Sequence, residues 1–270
     1  MNKSILFKKR ALNLILELIP RYYKIYNFFR RYIDMYNGDN NDNMHLNGEI
    51  RFLRNNLKDN DVIFDVGANI GEWTKQALNF KKKIYLHCFE PSIVSFGQLI
   101  NNNFPSNVIC NNFGLSSIKE EKLLYSTEKG STLSSLYKRK WFKDRINIDS
   151  ELKNELIRLD TLDNYCNLQN IEHINFLKID VEGHEYEVLK GGKKMFENSQ
   201  VDIIQFEYGG CYIDAHIFLK DIFDLFEGLN YNFYKIFPKY INYIKSYDFR
   251  FENFQYQNWL IIRKDYNFIP

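Results

Sequence analysis

The chain has no apolar run that approaches the roughly 20 residues a helix needs to cross a bilayer. Cysteine is also scarce, with four residues in 270. No two of them form a Cys-x-x-Cys pair, and their spacings match no zinc pattern. These absences predict free thiols and a cytoplasmic protein, since reducing compartments keep thiols unpaired.

An excess of charge of either sign is missing too. The 36 basic and 34 acidic residues leave a net charge of +2, which is too small to indicate a polyanionic partner. Aromatic residues make up 17% of the chain, but without a basic surface they do not indicate nucleic-acid binding. The hydrophobic fraction of 45% is enough for a substantial core.

The N-terminal residues predict a helical extension. Residues 4–36 have helical character, with Pro20 as a break or kink. A basic stretch precedes apolar residues 11–19, but Asn13 and Glu17 interrupt that run and no cleavage site follows, so we expect no signal peptide. The basic and aromatic segment 21–32 predicts a packing helix with a solvated basic face. Contact with a membrane surface or with a partner is the alternative.

A polar linker, residues 37–43, separates this extension from the rest. We therefore predict two parts, a helical extension and linker over 1–48 and a catalytic domain over 49–270. A homo-oligomer formed through the extension is one use for it.

Apolar strands alternate with helices from about residue 49. This order is typical of an α/β fold with a mostly parallel sheet and right-handed crossovers. The predicted core strands are 62–66, 84–89, 108–110, 174–179, 201–206 and 259–262. Residues 123–125 and 156–159 predict additional or edge strands. The polar residues 126–154 predict a lid or a substrate loop between them.

The first strand ends in a glycine-rich turn, Asp65-Val66-Gly67-Ala68-Asn69-Ile70-Gly71. The dinucleotide fingerprint Gly-x-Gly-x-x-Gly is not met, because Asn69 replaces the middle glycine and Gly71 comes one residue early. A ligand without phosphates is therefore favoured, and Asp65 offers a carboxylate to a cationic amino group. Glu90 ends the next strand, where an acidic residue can accept hydrogen bonds from ribose hydroxyls. Together these features predict an adenosine-type ligand with a positively charged amino-acid end.

A second acidic cluster follows a later core strand, in Asp180-Val181-Glu182-Gly183-His184-Glu185. Its side chains should reach the same carboxyl-end crevice of the sheet. Glu182 and Glu185 are also suited to capping the next helix, whereas Asp180 is the least expected to be structural. Glu207 ends a neighbouring strand and adds another carboxylate.

The sequence resembles the FkbM family of methyltransferases. Three stretches carry the resemblance over about residues 50–208: 62–71 with Phe89-Glu90-Pro91, then 159–163, then 177–191. The resemblance implies a Rossmann-like methyltransferase fold, S-adenosylmethionine as cofactor, and O-methylation of sugar or polyketide-type hydroxyls.

The resemblance also implies roles for particular residues. Asp65, Gly67, Asn69 and Gly71 would line the methionine end of the cofactor, and Glu90 would hold its ribose. The loop 111–114 falls where such folds contact the adenine.

Two mechanisms remain open for activating a carbohydrate or other small-molecule hydroxyl. A general base, Asp180 or His184, could take its proton. Alternatively, Mg, Mn or Fe(II) held by Asp180, Glu207 and His184 could lower its pKa.

Three other functions are alternatives to methylation of a hydroxyl. The broken glycine fingerprint argues against a nicotinamide-dependent oxidoreductase. No Asn/Asp-Pro-Pro-Tyr loop or Pro-Cys nucleophile indicates a nucleic-acid methyltransferase. A non-enzymatic membrane-associated module would rest on residues 4–36 alone.

Overall fold

The computed structural model describes residues 23–126, 134–137 and 153–270. Residue contacts divide the chain into two compact units, Met1–Asn40 and Asn41–Pro270. The predicted boundary at residue 48 falls inside the second unit. Gly48 packs closely against this second unit: its φ is 100°, and a Cβ there would lie 2.2 Å from the carbonyl oxygen of Phe237.

The described part of the first unit contains helix α1, Tyr23–Asn37. This confirms the helical prediction over those residues. The rest of the predicted 4–36 helix, with its break at Pro20, lies outside the described residues. In the described ranges, no helix is long and apolar enough to cross a membrane.

The second unit contains eleven strands in its described residues. In chain order they are β1 (Val62–Val66), β2 (Tyr85–Phe89), β3 (Val108–Asn111), β4 (Gly114–Leu115), β5 (Glu120–Ser126), β6 (Lys153–Asp160), β7 (Ile174–Ile179), β8 (Val201–Tyr208), β9 (Tyr231–Ile236), β10 (Ile241–Ile244) and β11 (Gln257–Arg263). Its helices are α2 (Glu49–Asn56), α3 (Glu72–Phe80), α4 (Ile93–Ile100), α5 (Leu162–Gln169), α6 (Glu185–Lys190), α7 (Lys193–Glu197), α8 (Cys211–Ala215) and α9 (Leu219–Leu225). A single 3-10 turn covers Phe249–Phe251.

Eight strands form the main sheet, in the order β10-β9-β11-β8-β7-β1-β2-β3. The five strands from β8 to β3 are parallel, and β11, β9 and β10 extend the sheet in antiparallel fashion. This arrangement confirms the predicted Rossmann-like methyltransferase fold with a mostly parallel sheet.

Apolar side chains cover both faces of the central strands, which is why those strands are nearly continuous apolar runs. On β1, Phe64 and Val66 pack into one hydrophobic cluster, while Ile63 packs into another. Successive residues of a strand point to opposite faces, so the two clusters lie on opposite sides of the sheet.

A small sheet with the order β4-β6-β5 stands apart from the main one. It contains the predicted strands 123–125 and 156–159, which therefore pair with each other rather than with the main sheet. Of the predicted loop 126–154, the structure describes 134–137 between the strands, and Ser135 there pairs with Tyr125.

The chain leaves β1 toward β2 and β3 on one side, and later adds β7 and β8 on the other. Ligands bind in open α/β sheets at such a switch point, outside the carboxyl ends of the strands. Gly67 begins the loop there with a φ of 82°, and a Cβ on it would lie 1.8 Å from the carbonyl oxygen of Asp180. The loops after β1 and β7 therefore touch backbone to backbone, which only glycine permits.

Candidate active site

A cavity of about 530 Å³ lies at the switch point. Its size is within the range of small-molecule sites, about 300–1,000 Å³. The ends of β1, β2, β7 and β8 line one part of it, and residues of the small sheet line another. Of the five residues predicted to contact the cofactor, Gly67, Asn69 and Glu90 line this cavity. Asp65 and Gly71 are not among its lining residues.

Glu90 is buried at the end of β2, and backbone groups hold its carboxylate. One oxygen accepts from the N–H of Asn69 at 2.9 Å, and the other from the N–H of Ser92 at 2.8 Å. Burial raises the pKa of Glu90 to about 7, although these two hydrogen bonds lower it. A carboxylate offers about four acceptor sites, so Glu90 keeps capacity for ligand hydroxyls.

Two lining residues carry buried polar atoms without a partner. They are Oδ1 of Asn69, an acceptor, and Nε1 of Trp73, a donor. Buried polar groups are hydrogen-bonded in nearly all proteins, so such orphans call for an explanation. An amino-acid end, with one ammonium and one carboxylate, supplies a donor for the first and an acceptor for the second.

Asp65 is fully buried and is directed at protein groups. Its carboxylate accepts from Oγ1 of Thr74 at 2.7 Å and from Nζ of Lys178 at 3.2 Å. The predicted contact of Asp65 with the ligand stays a prediction; in the structure the side chain bonds Lys178, which does line the cavity. The cause is the sheet register, which pairs Asp65 directly with Lys178.

Lys178 lies between acidic side chains. Its Nζ is 3.4 Å from Oδ2 of Asp180, and it also lies over the ring of Trp73, 5.7 Å from the centroid. Burial alone lowers a lysine pKa, but the attraction of Asp65 and then of Asp180 outweighs it and raises the pKa of Lys178. Lys178 therefore stays a cation beneath the cavity.

Three further carboxyl groups interact with Lys178 or Asp180; Glu49 and Glu185 are buried, and Glu207 is half-buried. Burial raises the pKa of Glu185 to about 8, and that of Glu49 above its ordinary value. Burial, and then the charge of Asp180, raise the pKa of Glu207 well above its ordinary value. Burial therefore favours the neutral form of all three groups, whereas the Asp180 side chain is 35% exposed and accessible.

Glu185 shapes the loop that carries Asp180. It is fully buried, and its oxygens accept from the N–H groups of Val181 at 2.9 Å and Gly183 at 3.0 Å. Glu185 therefore has a structural role, but it holds the loop before α6 rather than capping that helix as predicted, since the N-cap residue His184 makes no side-chain cap hydrogen bond.

A pH-dependent stability follows from Glu185. Its folded pKa is raised, so its contribution to stability is fully present below the ordinary value of 4.5 and is lost as the pH rises through about 8. Between these limits we expect wild type to lose about 1.4 kcal/mol of unfolding free energy per pH unit relative to Glu185→Gln. Urea unfolding of both proteins from pH 5 to 8 checks this. If the unfolding free energies of the two proteins change in parallel with pH, the raised pKa of Glu185 is contradicted.

His184 is buried and both ring nitrogens are engaged. Nδ1 lies 3.0 Å from the hydroxyl of Tyr137, and Nε2 lies 2.9 Å from Oγ of Ser116. Burial lowers the pKa of His184 to about 4. A base for a reaction at neutral pH needs a free nitrogen and a pKa near 7, and His184 has neither. Its contacts suit a structural role instead, in which it fixes residues 134–137 beside the cavity.

The ligand atoms of the predicted metal ligands Asp180, Glu207 and His184 do not lie close enough together to form one metal-binding group. In the described part of the chain, the potential ligand atoms that lie within 4.8 Å of one another belong to Glu182, Glu207 and Cys211. His184 is not in this set, and both its ring nitrogens are hydrogen-bonded to hydroxyl groups, those of Tyr137 and Ser116.

The motif at 159–163 connects elements rather than lining the cavity with polar groups. Asp160 accepts from the amide of Asn164, and Thr161 caps α5 by accepting from the backbone N–H of Asn164 at 3.0 Å. Asp163 accepts from the N–H groups of Lys194 and Met195 at the start of α7. These contacts are structural.

Comparison with known proteins identifies the class as a methyltransferase. The family described as the methyltransferase FkbM domain matches residues 65–251. The chain belongs to the FkbM methyltransferase family, and the resemblance found in the sequence is confirmed.

Individual proteins are similar over part or most of the chain. Hexuronic acid methyltransferase AglP of Haloferax volcanii is 29% identical over 162 residues, 59% of this chain and 62% of AglP. Among solved structures, SMU.1697c of Streptococcus mutans in complex with SAH has a TM-score of 0.42 and 11% identity, over 79% of this chain and 94% of that one. An rRNA methylase of Streptococcus thermophilus has a TM-score of 0.41 and 10% identity, over 79% and 93% respectively.

Proposed function

We propose that the protein is an S-adenosylmethionine-dependent O-methyltransferase that acts on a carbohydrate hydroxyl. The observation that carries this is the cavity itself. It combines Glu90 and unpartnered polar atoms at one set of strand ends with an accessible carboxylate, Asp180, at another.

The cofactor side of the cavity consists of the loops after β1 and β2. Glu90 would accept from the ribose hydroxyls, Oδ1 of Asn69 from the ammonium, and Nε1 of Trp73 would donate to the carboxylate. The loop at 111–114 remains the predicted neighbour of the adenine, and its Gly114 lines the cavity. S-adenosylmethionine supplies a methyl group activated by attachment to a sulfonium.

The acceptor side consists of the loops after β7 and β8. An alcohol is a weak nucleophile until its proton is removed, and Asp180 is the exposed carboxylate placed to accept that proton. Lys178 fixes the orientation of Asp180 through their 3.4 Å contact. Burial favours the protonated form of Glu207, and in that form it can donate a hydrogen bond to a second hydroxyl of the acceptor.

A carbohydrate is favoured for two reasons. AglP, which shares 29% identity, is named for methylation of a hexuronic acid. A cavity with many carboxyl groups also suits hydroxyl-rich ligands, because each carboxyl group can form hydrogen bonds with hydroxyls. The proposal covers both nucleotide-activated sugars and polysaccharide building blocks, and in each case the sugar is the part that enters the cavity.

Replacing Glu90 tests the cofactor side. Glu90→Gln is expected to weaken binding of S-adenosylhomocysteine by about 1–3 kcal/mol, because hydrogen bonds to a charged acceptor are lost. Isothermal titration calorimetry measures it, with Glu197→Gln, an exposed residue of α7, as the charge-matched control. Equal affinities of wild type, Glu90→Gln and Glu197→Gln would show that Glu90 does not bind the ribose.

An acceptor screen tests the proposed reaction. The full chain is incubated with methyl-labelled S-adenosylmethionine and a panel of sugars, nucleotide-sugars and phenolic or polyketide-type alcohols. Label in an alkali-stable methyl ether of a carbohydrate supports the proposal. Label found in the other alcohols alone would contradict the carbohydrate assignment.

A further inference from the structure

We infer that helix α1 is a membrane-surface helix that binds in the plane of an anionic lipid bilayer. The inference is independent of the proposed reaction, since it concerns the first unit alone. It deepens one of the alternatives that the basic and aromatic sequence left open.

Most apolar residues of α1 form one continuous face. They recur at spacings of three and four, which places them on one side of a helix. The face consists of Ile25, Phe28, Phe29, Tyr32, Ile33 and Tyr36, whereas Tyr23, Tyr26 and Met35 lie outside it. Five of the six side chains of this face are exposed, with 67% of Phe28, 62% of Tyr32 and 75% of Tyr36 accessible. No residue of the helix is buried.

The opposite face is polar and basic. Lys24, Asn27, Arg30, Arg31 and Asp34 occupy it, so three cations oppose one carboxylate. The same bias extends through the sequence, with eight basic and two acidic residues among residues 1–37 of a chain whose net charge is only +2. Positive charge is thus concentrated in the N-terminal part of the sequence.

This combination selects a lipid surface over a protein surface. Phe and Tyr prefer the membrane–water interface, and a helix with an apolar face beside Lys and Arg lies in that interface and is attracted to anionic headgroups. A second copy of α1 would bring the same excess of cations close together, which opposes self-association.

Sedimentation with lipid vesicles tests the inference on the full chain. We expect binding to phosphatidylcholine vesicles that contain roughly a quarter phosphatidylglycerol, and binding at least about tenfold weaker without the anionic lipid. Phe29→Ser with Tyr32→Ser removes the centre of the apolar face and should abolish binding. Asn27→Ser, on the polar face, is the matched control and should bind as wild type does.

Folding is controlled independently. Ser and the aromatic residues have similar helix propensity, and near-wild-type thermal unfolding of the double variant shows that the second unit is intact. Wild type that does not sediment with anionic vesicles overturns the inference. So does a double variant that binds as well as wild type, or wild type that forms a dimer through α1 in place of binding vesicles.

Discussion

Asp180→Asn is expected to lower turnover by at least about 100-fold, the usual cost of removing an acid–base group. The substitution keeps the shape of the side chain and removes its capacity to accept a proton. The backbone N–H of Asp180 bonds the carbonyl oxygen of Val66 at 3.0 Å, so the loop position does not depend on the carboxylate. Affinity for S-adenosylhomocysteine should therefore stay nearly unchanged.

The matched control for Asp180 is Asp59→Asn. Asp59 is exposed in the loop that precedes β1, at the opposite end of the sheet, so the same chemical change there should leave turnover at the wild-type level. Turnover of Asp180→Asn within a few-fold of wild type would contradict the proton-accepting role. An equal loss of cofactor affinity and turnover would instead indicate that Asp180 holds the cofactor.

Lys178→Met is expected to lower the free energy of unfolding by about 3–5 kcal/mol. Removing one partner of a buried ion pair leaves the other charge uncompensated, and here Asp65 remains fully buried with Asp180 nearby. Lys178→Met combined with Asp65→Asn should recover a large part of the loss. Denaturant unfolding measures all three proteins.

A surface pair provides the control for Lys178. Lys75 bonds Glu72 at 2.7 Å, but both side chains are substantially exposed, so Lys75→Met should cost no more than about 1 kcal/mol. Equal losses for Lys75→Met and Lys178→Met would show that the buried lysine is not the centre of a coupled cluster.

The sheet could be predicted from the sequence because its central strands are buried on both faces. Residues 62–66 and 174–179 are apolar runs bounded by turn residues, and Asp180, directly after the second run, marks the carboxyl edge. Parallel pairing then brought Asp180 and Glu207 to the same cavity, as predicted.

The role of Lys178 was missed, although the sequence contained a signal for it. Asp65 and Lys178 are single charges in two otherwise apolar core strands. A buried charge needs a partner, so two such strands placed side by side predict an ion pair. Asp65 was assigned instead to the ligand from its position before the glycine-rich turn.

Other site residues had no signal in the sequence. Glu49 begins α2 and Tyr256 lies in the loop before β11, and both reach the cavity only through the tertiary fold. Likewise, the contact of His184 with Tyr137 joins residues 47 positions apart. The motif identified His184, but its two nitrogens bond two distant residues, Tyr137 and Ser116, which the motif does not contain.

The metal mechanism and the proposed general-base mechanism predict different effects of a chelator on turnover. If Asp180 accepts the proton as proposed, turnover should survive chelation, and His184→Gln should not remove an ionisation near neutral pH, because both nitrogens of His184 are hydrogen-bonded to hydroxyls. Activity that is lost on chelation and restored by Mg, Mn or Fe(II) would favour the metal.

The central claim is that the cavity after β1 and β2 binds the adenosyl cofactor, and calorimetry on the full chain tests it most directly. S-adenosylhomocysteine and NAD are titrated separately into wild type and into Glu90→Gln. We expect S-adenosylhomocysteine to bind wild type, to bind Glu90→Gln more weakly, and NAD to bind neither protein. Binding of NAD without binding of S-adenosylhomocysteine would contradict the account.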